Sequence, residues 1–334
     1  MTGPLVYGDA PYFFPENLNE LFQKPLIWDF RNSNFGASQA QVLWLYLPTF
    51  LMGVMGKLGL SADVAIRIIF YFPATILAFL GSLLFIKSFV KNNLAALLGS
   101  FLYVFNTYFL LLIDGGQIGL ALSYGLFPLF LYFINKGNFL LSFFTFFFLT
   151  NTDLRVAILA ILTYFLINFN KLSKKIIYII FLTIILDAFW IIPFIFTGLQ
   201  RVEMGQIKNE LPTNFITIFN GLTIYNPHFP LNEFGKVNAI PWYFIFLPLL
   251  LFTNIIFKNR RENLIFYILF LMFISLIIIP FGPFKPAFDF IMNYIPLANA
   301  FRDSTKFFIP AILIASILLA RSLEGTKSSL FSFV

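Results

Sequence analysis

Residues 139–169 read FLLSFFTFFFLTNTDLRVAILAILTYFLINF: an apolar run, a polar break at Asn151-Thr152-Asp153-Leu154-Arg155, and a second apolar run. Each run is shorter than the roughly 20 helical residues needed to cross a bilayer core. The break between them is too polar to rest against lipid tails unless it lines a wet cavity. The stretch therefore reads as two short helices that dip into a membrane and meet at a hydrated turn.

The rest of the chain agrees with that solvent. Of its 334 residues, 59% are hydrophobic and 11% charged, with 49 Phe and a mean hydropathy of +0.86. A water-soluble domain carries about 25% charged residues, so an ordinary soluble globular enzyme is excluded. The absence of cysteine removes disulfides, thiolate chemistry and sulfur-ligated zinc, and the single His228 removes any metal cluster needing two imidazoles. The net charge of +7 does not point to nucleic acid, because the cations are spread singly between apolar stretches instead of forming a basic patch.

Unsatisfied backbone groups are costly in hydrocarbon, so the apolar runs are expected to be helices. The expected fold class is all-α, a polytopic membrane protein with about nine transmembrane helices at 64–88, 93–113, 118–135, 139–150, 155–169, 176–197, 241–257, 263–280 and 307–321. Lys and Arg in short loops favour the cytoplasmic side. One set of loops holds Lys87, Lys91, Lys136, Lys171, Lys174, Lys175, Lys258, Arg260, Arg261, Arg321 and Lys327, and is read as cytoplasmic. The opposite side holds most acids and three long segments: 1–62, 198–240 and 281–306. The organisation is then an outer loop 1–62, a bundle 63–197, an outer loop 198–240, and helices 241–334 interrupted by the outer loop 281–306. Any chemistry is expected on the outer face of the plasma membrane.

Within the first outer segment, residues 41–60 (QVLWLYLPTFLMGVMGKLGL) are apolar and nearly long enough to span. Crossing there would reverse every later loop, so an interfacial or re-entrant helix is expected, and Pro48, Gly53 and Gly56 also argue against a straight rod. The polar start directly after Met1 carries no signal peptide, and an additional leading helix upstream is expected. The end soon after the last helix permits a longer natural product. No internal repeat is visible.

Asp9, in Gly8-Asp9-Ala10-Pro11-Tyr12, is a carboxylate at an outer turn, and by itself reads equally as a turn cap. Trp28-Asp29-Phe30 adds a second acid before the interfacial helix. The order GDAPYFFP, LIWDFRNSNFGASQAQVLWLYLPTF and SADVAIRI resembles the amino-terminal part of the arabinofuranosyltransferase D type of GT-C glycosyltransferases. Asn106-Thr107-Tyr108, the Asp153-Leu154-Arg155 break, Phe189-Trp190-Ile191-Ile192-Pro193 and Phe301-Arg302-Asp303-Ser304-Thr305-Lys306-Phe307 follow in the same order over most of the chain.

The resemblance implies a GT-C-like enzyme that passes a sugar from a polyprenyl- or dolichyl-phosphate donor to an acceptor glycan on the outer face, with inversion. It places Asp9 as the catalytic base. Glu203, in the loop after the Trp-Ile-Ile-Pro helix, is the second acid, orienting the acceptor or helping Asp9 hold a divalent cation. No metal ligand is assigned. A departing lipid phosphate needs compensating charge, which arginine supplies through its planar fork. Arg302 and Lys306, four apart where a helix begins, are the first choice for that role. Asp29, Arg155 and Arg201 complete the substrate-binding set, with Arg155 read as pairing with Asp153. Asp187, inside a spanning helix, is a structural hydrogen-bonded acid or a functional one, and His228 reads as a loop histidine. The competing readings are a flippase or transporter for a lipid-linked sugar, disfavoured because only one helix break is visible, and a non-catalytic membrane subunit of a glycan-assembly complex.

Overall fold

The computed structural model describes residues 18–29, 37–38, 43–169, 173–198, 216–227, 240–258, 261–295, 298–301 and 303–330. Apart from a two-residue antiparallel pairing, Trp28 opposite Ser38 and Asp29 opposite Ala37, the described elements are helical. After short turns come α1 (Tyr46–Lys57), α2 (Ala62–Ile86), α3 (Asn93–Val104), α4 (Thr107–Asp114), α5 (Ile118–Asn135), α6 (Phe139–Thr150) and α7 (Leu154–Ile167). They are followed by α8 (Lys175–Leu186), α9 (Ala188–Pro193), α10 (Ile218–Leu222), α11 (Phe246–Lys258), α12 (Arg261–Ile278), α13 (Lys285–Tyr294) and α14 (Phe308–Leu330).

The apolar runs are separated by Asn and Asp because those side chains satisfy the first free N–H groups of a helix. Asn92 accepts from the N–H groups of Leu94 and Ala95, Asn106 from Phe109, Asn138 from Leu141, and Asp153 from Arg155 and Val156. Each cap lets the chain stop and restart a helix without leaving bare donors in an apolar setting.

All nine expected apolar segments contain helix, but not as nine long rods. Among the described residues four helices are long and apolar enough to cross a membrane: Ala62–Ile86, Ile118–Asn135, Asn263–Phe281 and Ser304–Glu324. The count rises to six if two bent pairs are each one span, Asn93–Val104 with Thr107–Asp114 (43°) and Lys175–Leu186 with Ala188–Phe196 (65°). The segments expected at 93–113 and 176–197 are these two bent pairs. The first bends where Asn106 takes up a backbone N–H through its side chain, the second at Asp187. Phe139–Thr150, Leu154–Ile167 and Trp242–Thr253 are shorter apolar helices. Arg67–Tyr71 forms a π turn inside α2.

The bundle is assembled around α14, whose residues Ile309, Ala311, Ile312, Leu313, Ile314, Ala315, Ile317 and Leu318 are all buried. A helix apolar on every side belongs at a centre. Beside it, small residues bring α2 and α5 together: a Cβ on Gly125 would lie 2.6 Å from the Ala74 carbonyl oxygen, and one on Gly81 3.1 Å from the Leu129 nitrogen. Since the contacts advance in the same sense, the two helices run parallel, and their basic flanks at Lys87 and Lys136 fall at one end. At that end the Lys91 and Asn92 N–H groups donate to Glu324 Oε1 at 2.7 and 3.2 Å, and Lys175 Nζ donates to the Gly137 carbonyl at 2.7 Å. Arg321 bonds to Asn263 and stands over the Phe266 ring at 4.8 Å.

Of the segment 41–60, the described residues 43–60 hold a 3-10 turn, Leu43–Leu45, and the helix α1 of 12 residues, too short to span. It runs unbroken through Gly53 and Gly56. Their role is close approach: a Cβ on Gly53 would lie 2.3 Å from the Phe22 nitrogen, and one on Gly56 2.9 Å from the buried Leu18 side chain. Gly53→Val should therefore prise residues 18–22 from α1 and cost about 1–3 kcal/mol, as overpacking does. A lowered Tm in detergent and faster proteolysis near residue 20 would show it; an unchanged melt would refute the contact.

Candidate functional site

The helix breaks meet, and they do so at the end of α5 opposite its basic flank. The Thr150 hydroxyl donates to Asp187 Oδ2 at 2.6 Å and the Asn151 amide to Asp187 Oδ1 at 2.8 Å, so the α6–α7 break is fastened to the α8–α9 bend. The Ser123 and Thr152 hydroxyls lie 2.7 Å apart, tying the same break to α5. The α3–α4 bend is held through Asn106, whose amide donates to the Tyr124 hydroxyl at 3.0 Å, and through Thr107, which accepts from the Asn226 N–H at 2.7 Å. Gly119 allows the approach, because a Cβ there would sit 2.7 Å from the Thr152 carbonyl oxygen. The start of α1 reaches this layer too: Leu45 lies near Gly119, and Tyr46 packs edge-on against Phe189 at 5.8 Å.

Two ion pairs sit on the layer. Asp153 caps α7 and receives four donors: the Arg155 and Val156 N–H groups at 2.9 and 3.4 Å, Arg155 Nε at 2.9 Å and Nη2 at 2.5 Å. Its side chain is 2% exposed, so its oxygens are spent on structure, whereas Arg155 is 35% exposed and keeps an open side. The second pair closes the entry to α14. Asp303 accepts from the Thr305 N–H at 3.1 Å, the Thr305 hydroxyl at 2.6 Å and Lys306 Nζ at 2.5 Å. Lys306 is 5% exposed and Asp303 43%, the reverse of the first pair. Burial opposes the charge of Asp303, but the Lys306 ammonium and the Thr305 hydrogen bonds outweigh it and hold the carboxyl below its usual range.

The two pairs share one electrostatic neighbourhood. Arg155 feels the charge of Asp303, and the Tyr108 hydroxyl feels Asp303, Asp153 and Arg155. Tyr108 is buried, stacks on Phe308 at 5.6 Å, and its hydroxyl has no hydrogen-bond partner among the described residues. A groove of about 350 Å³ leaves this charged end along α7, lined by Leu154, Ala157, Ile158, Ile161, Leu162 and Phe165, with Phe146 of α6 and Ile180 of α8 as walls. At 1.5 Å per residue its α7 wall is about 17 Å long.

Of the residues expected from the sequence, Arg155 and Lys306 belong to this cluster. Arg155 pairs with Asp153 as expected, while Lys306 is turned into the protein against Asp303. Asp9, Arg201, Glu203, His228 and Arg302 lie outside the described residues; Asp29 is placed in its backbone pairing only. Among the described residues no group of three His, Cys, Asp or Glu side chains is gathered that could hold a metal. Asp303 and Tyr108 stood inside quoted motifs without being assigned a role; the Asp-Ser-Thr-Lys start of a helix was the available signal for the first. Comparison with known proteins returns nothing: no protein-family model, no curated protein and no solved structure matches the chain.

Two outcomes test this construction. Asp187→Ala removes the acceptor that ties Thr150 and Asn151 to the α8–α9 bend, leaving them the Phe147 carbonyl oxygen, and should destabilise the protein by about 1–3 kcal/mol, read as a lower Tm in detergent. The lowered pKa of Asp303 stabilises the fold above its unfolded value of about 4, and that contribution is lost as pH falls through the lower folded value. Asp303→Asn should accordingly flatten the stability profile below about pH 4 relative to the parent; an unchanged acid limb would remove the pair from the account.

Proposed function

We propose that the chain is a GT-C-like membrane glycosyltransferase that takes a sugar from a polyprenyl-phosphate donor and transfers it to an acceptor glycan on the outer face, its nine apolar segments crossing or dipping into the bilayer. The observation that supports this best is an apolar groove whose lining starts at Leu154, the chain neighbour of the half-open Arg155 at the start of α7. A lipid-phosphate sugar has that division: an isoprenoid tail for the groove, a phosphate for a guanidinium fork. The positive end of the α7 helix dipole, beside Asp153 and Arg155, adds to the attraction. The resemblance of the ordered motifs to the arabinofuranosyltransferase D type supplies the reaction class.

In the proposed reaction the acceptor hydroxyl oxygen bonds to the anomeric carbon as the bond from that carbon to the phosphate oxygen breaks. The hydroxyl proton passes to Asp9, and the lipid phosphate leaves with the electron pair. Arg155 and Arg302 receive the phosphate charge. Lys306 acts one step back, holding Asp303 in place. Glu203 orients the acceptor, or joins Asp9 in holding a divalent cation, and Asp29 and Arg201 complete the substrate-binding set.

A second reading has support in the bends. A lipid-linked sugar transporter needs paired discontinuous helices, and two bent pairs are present where the sequence had shown one break. No repeat accompanies them.

Incubating membranes that contain the protein with radiolabelled polyprenyl-phosphate sugars separates the two. Transfer to an acceptor, abolished by Asp9→Asn and weakened in apparent donor affinity by Arg155→Lys, is the expected result. The lysine keeps the charge beside Asp153 while losing the fork. Movement of label across the bilayer without transfer would establish the transporter instead.

A further inference from the structure

The helix α13 carries its apolar side outward. Phe284, Phe290, Ile291, Tyr294 and Ile295 follow one another at helical spacing and are 68%, 60%, 41%, 72% and 51% exposed. Its polar pair, Lys285 and Asp289, joined at 3.2 Å, lies on a different face. Such a distribution is the reverse of a surface helix in water, which turns its apolar stripe to the core.

The position of α13 identifies what covers the stripe. It starts just after the apolar span Asn263–Phe281 and leads into Asp303 at the head of the span Ser304–Glu324, so both its ends are moored at the same membrane surface. The first of those spans has an exposed apolar side of its own, Leu264, Ile268 and Leu271, in the half of the span farther from α13. A short amphipathic helix with aromatic residues on its apolar side is suited to the boundary between headgroups and acyl chains.

We infer that α13 lies in the bilayer interface, apolar side down, in the leaflet that borders the Asp303–Lys306 pair, and that it fixes the depth of that pair relative to the headgroups. The occupant of the stripe is the lipid itself, neither a second copy of the chain nor a soluble partner. This assignment is independent of which reaction the site performs.

The cysteine-free chain allows a direct test. Single variants Phe290→Cys, Tyr294→Cys and Asp289→Cys, with Ile268→Cys as a lipid-facing reference, are spin-labelled in nanodiscs of phosphatidylethanolamine and phosphatidylglycerol. Collision with lipid-soluble oxygen is compared with collision with an aqueous nickel chelate. The oxygen-to-nickel ratio at 290 and 294 should approach that at 268 and exceed that at 289 several-fold. Equal ratios at 289, 290 and 294, or protection of 290 and 294 from both reagents as under a protein partner, would overturn the inference. Where a cysteine variant fails to elute as the parent does, Tyr294→Trp read by brominated-lipid quenching decides: added quenching supports the interfacial position, and none refutes it.

Discussion

A backbone that stops being helical inside an apolar environment must find partners for its freed N–H and C=O groups, and this protein satisfies that requirement with side chains from other breaks. Asp187 is the clearest instance. Its two oxygens take the Thr150 hydroxyl and the Asn151 amide, so the bend in one helix pair supplies the acceptor that the turn in the neighbouring pair needs. The capping carboxylate of Asp153 and the Ser123–Thr152 contact extend the same layer. Polar groups paired in a low-dielectric setting hold one another in place, although among the described residues Asn151 Oδ1 and the Tyr108 hydroxyl in this layer have no partner.

The layer joins the three helix breaks and carries two ion pairs. Its two ion pairs are built with opposite asymmetry: one buries the acid and opens the cation, the other buries the cation and opens the acid. Arg155 thus presents a half-open guanidinium and Asp303 a partly accessible carboxylate. Neither pair could reverse this without stranding a buried charge, which is strongly destabilising.

Much of the architecture was legible because hydrophobicity and caps are local signals. The apolar runs gave the helix positions, and the polar quintet at 151–155 gave the break. What escaped the sequence were bends whose causes are remote. Asp187 reads as an isolated acid in an apolar run until Thr150 and Asn151 are brought against it, and Phe105-Asn106 as an unremarkable polar step until Tyr124 accepts the amide. Gly53 and Gly56 were read as weaknesses of a rod; their function, admitting residues 18–22, depends on a partner that periodicity does not reveal. The inward turn of Lys306 was hidden for the same reason, since spacing shows that two cations share a side but not whether an acid three residues earlier claims one of them.

The central position of α14 has a consequence for biogenesis. It is the most enclosed of the long apolar helices, with 72% of its window buried against 33% for Ala62–Ile86, yet among the described helices it leaves the ribosome last. The earlier helices must wait in the bilayer with their inner sides wetted by lipid until the pillar arrives. Closure of the described bundle thus waits on the insertion of α14, and slowing translation ahead of residue 304 would lengthen the interval in which the unfinished bundle is open to quality-control proteases.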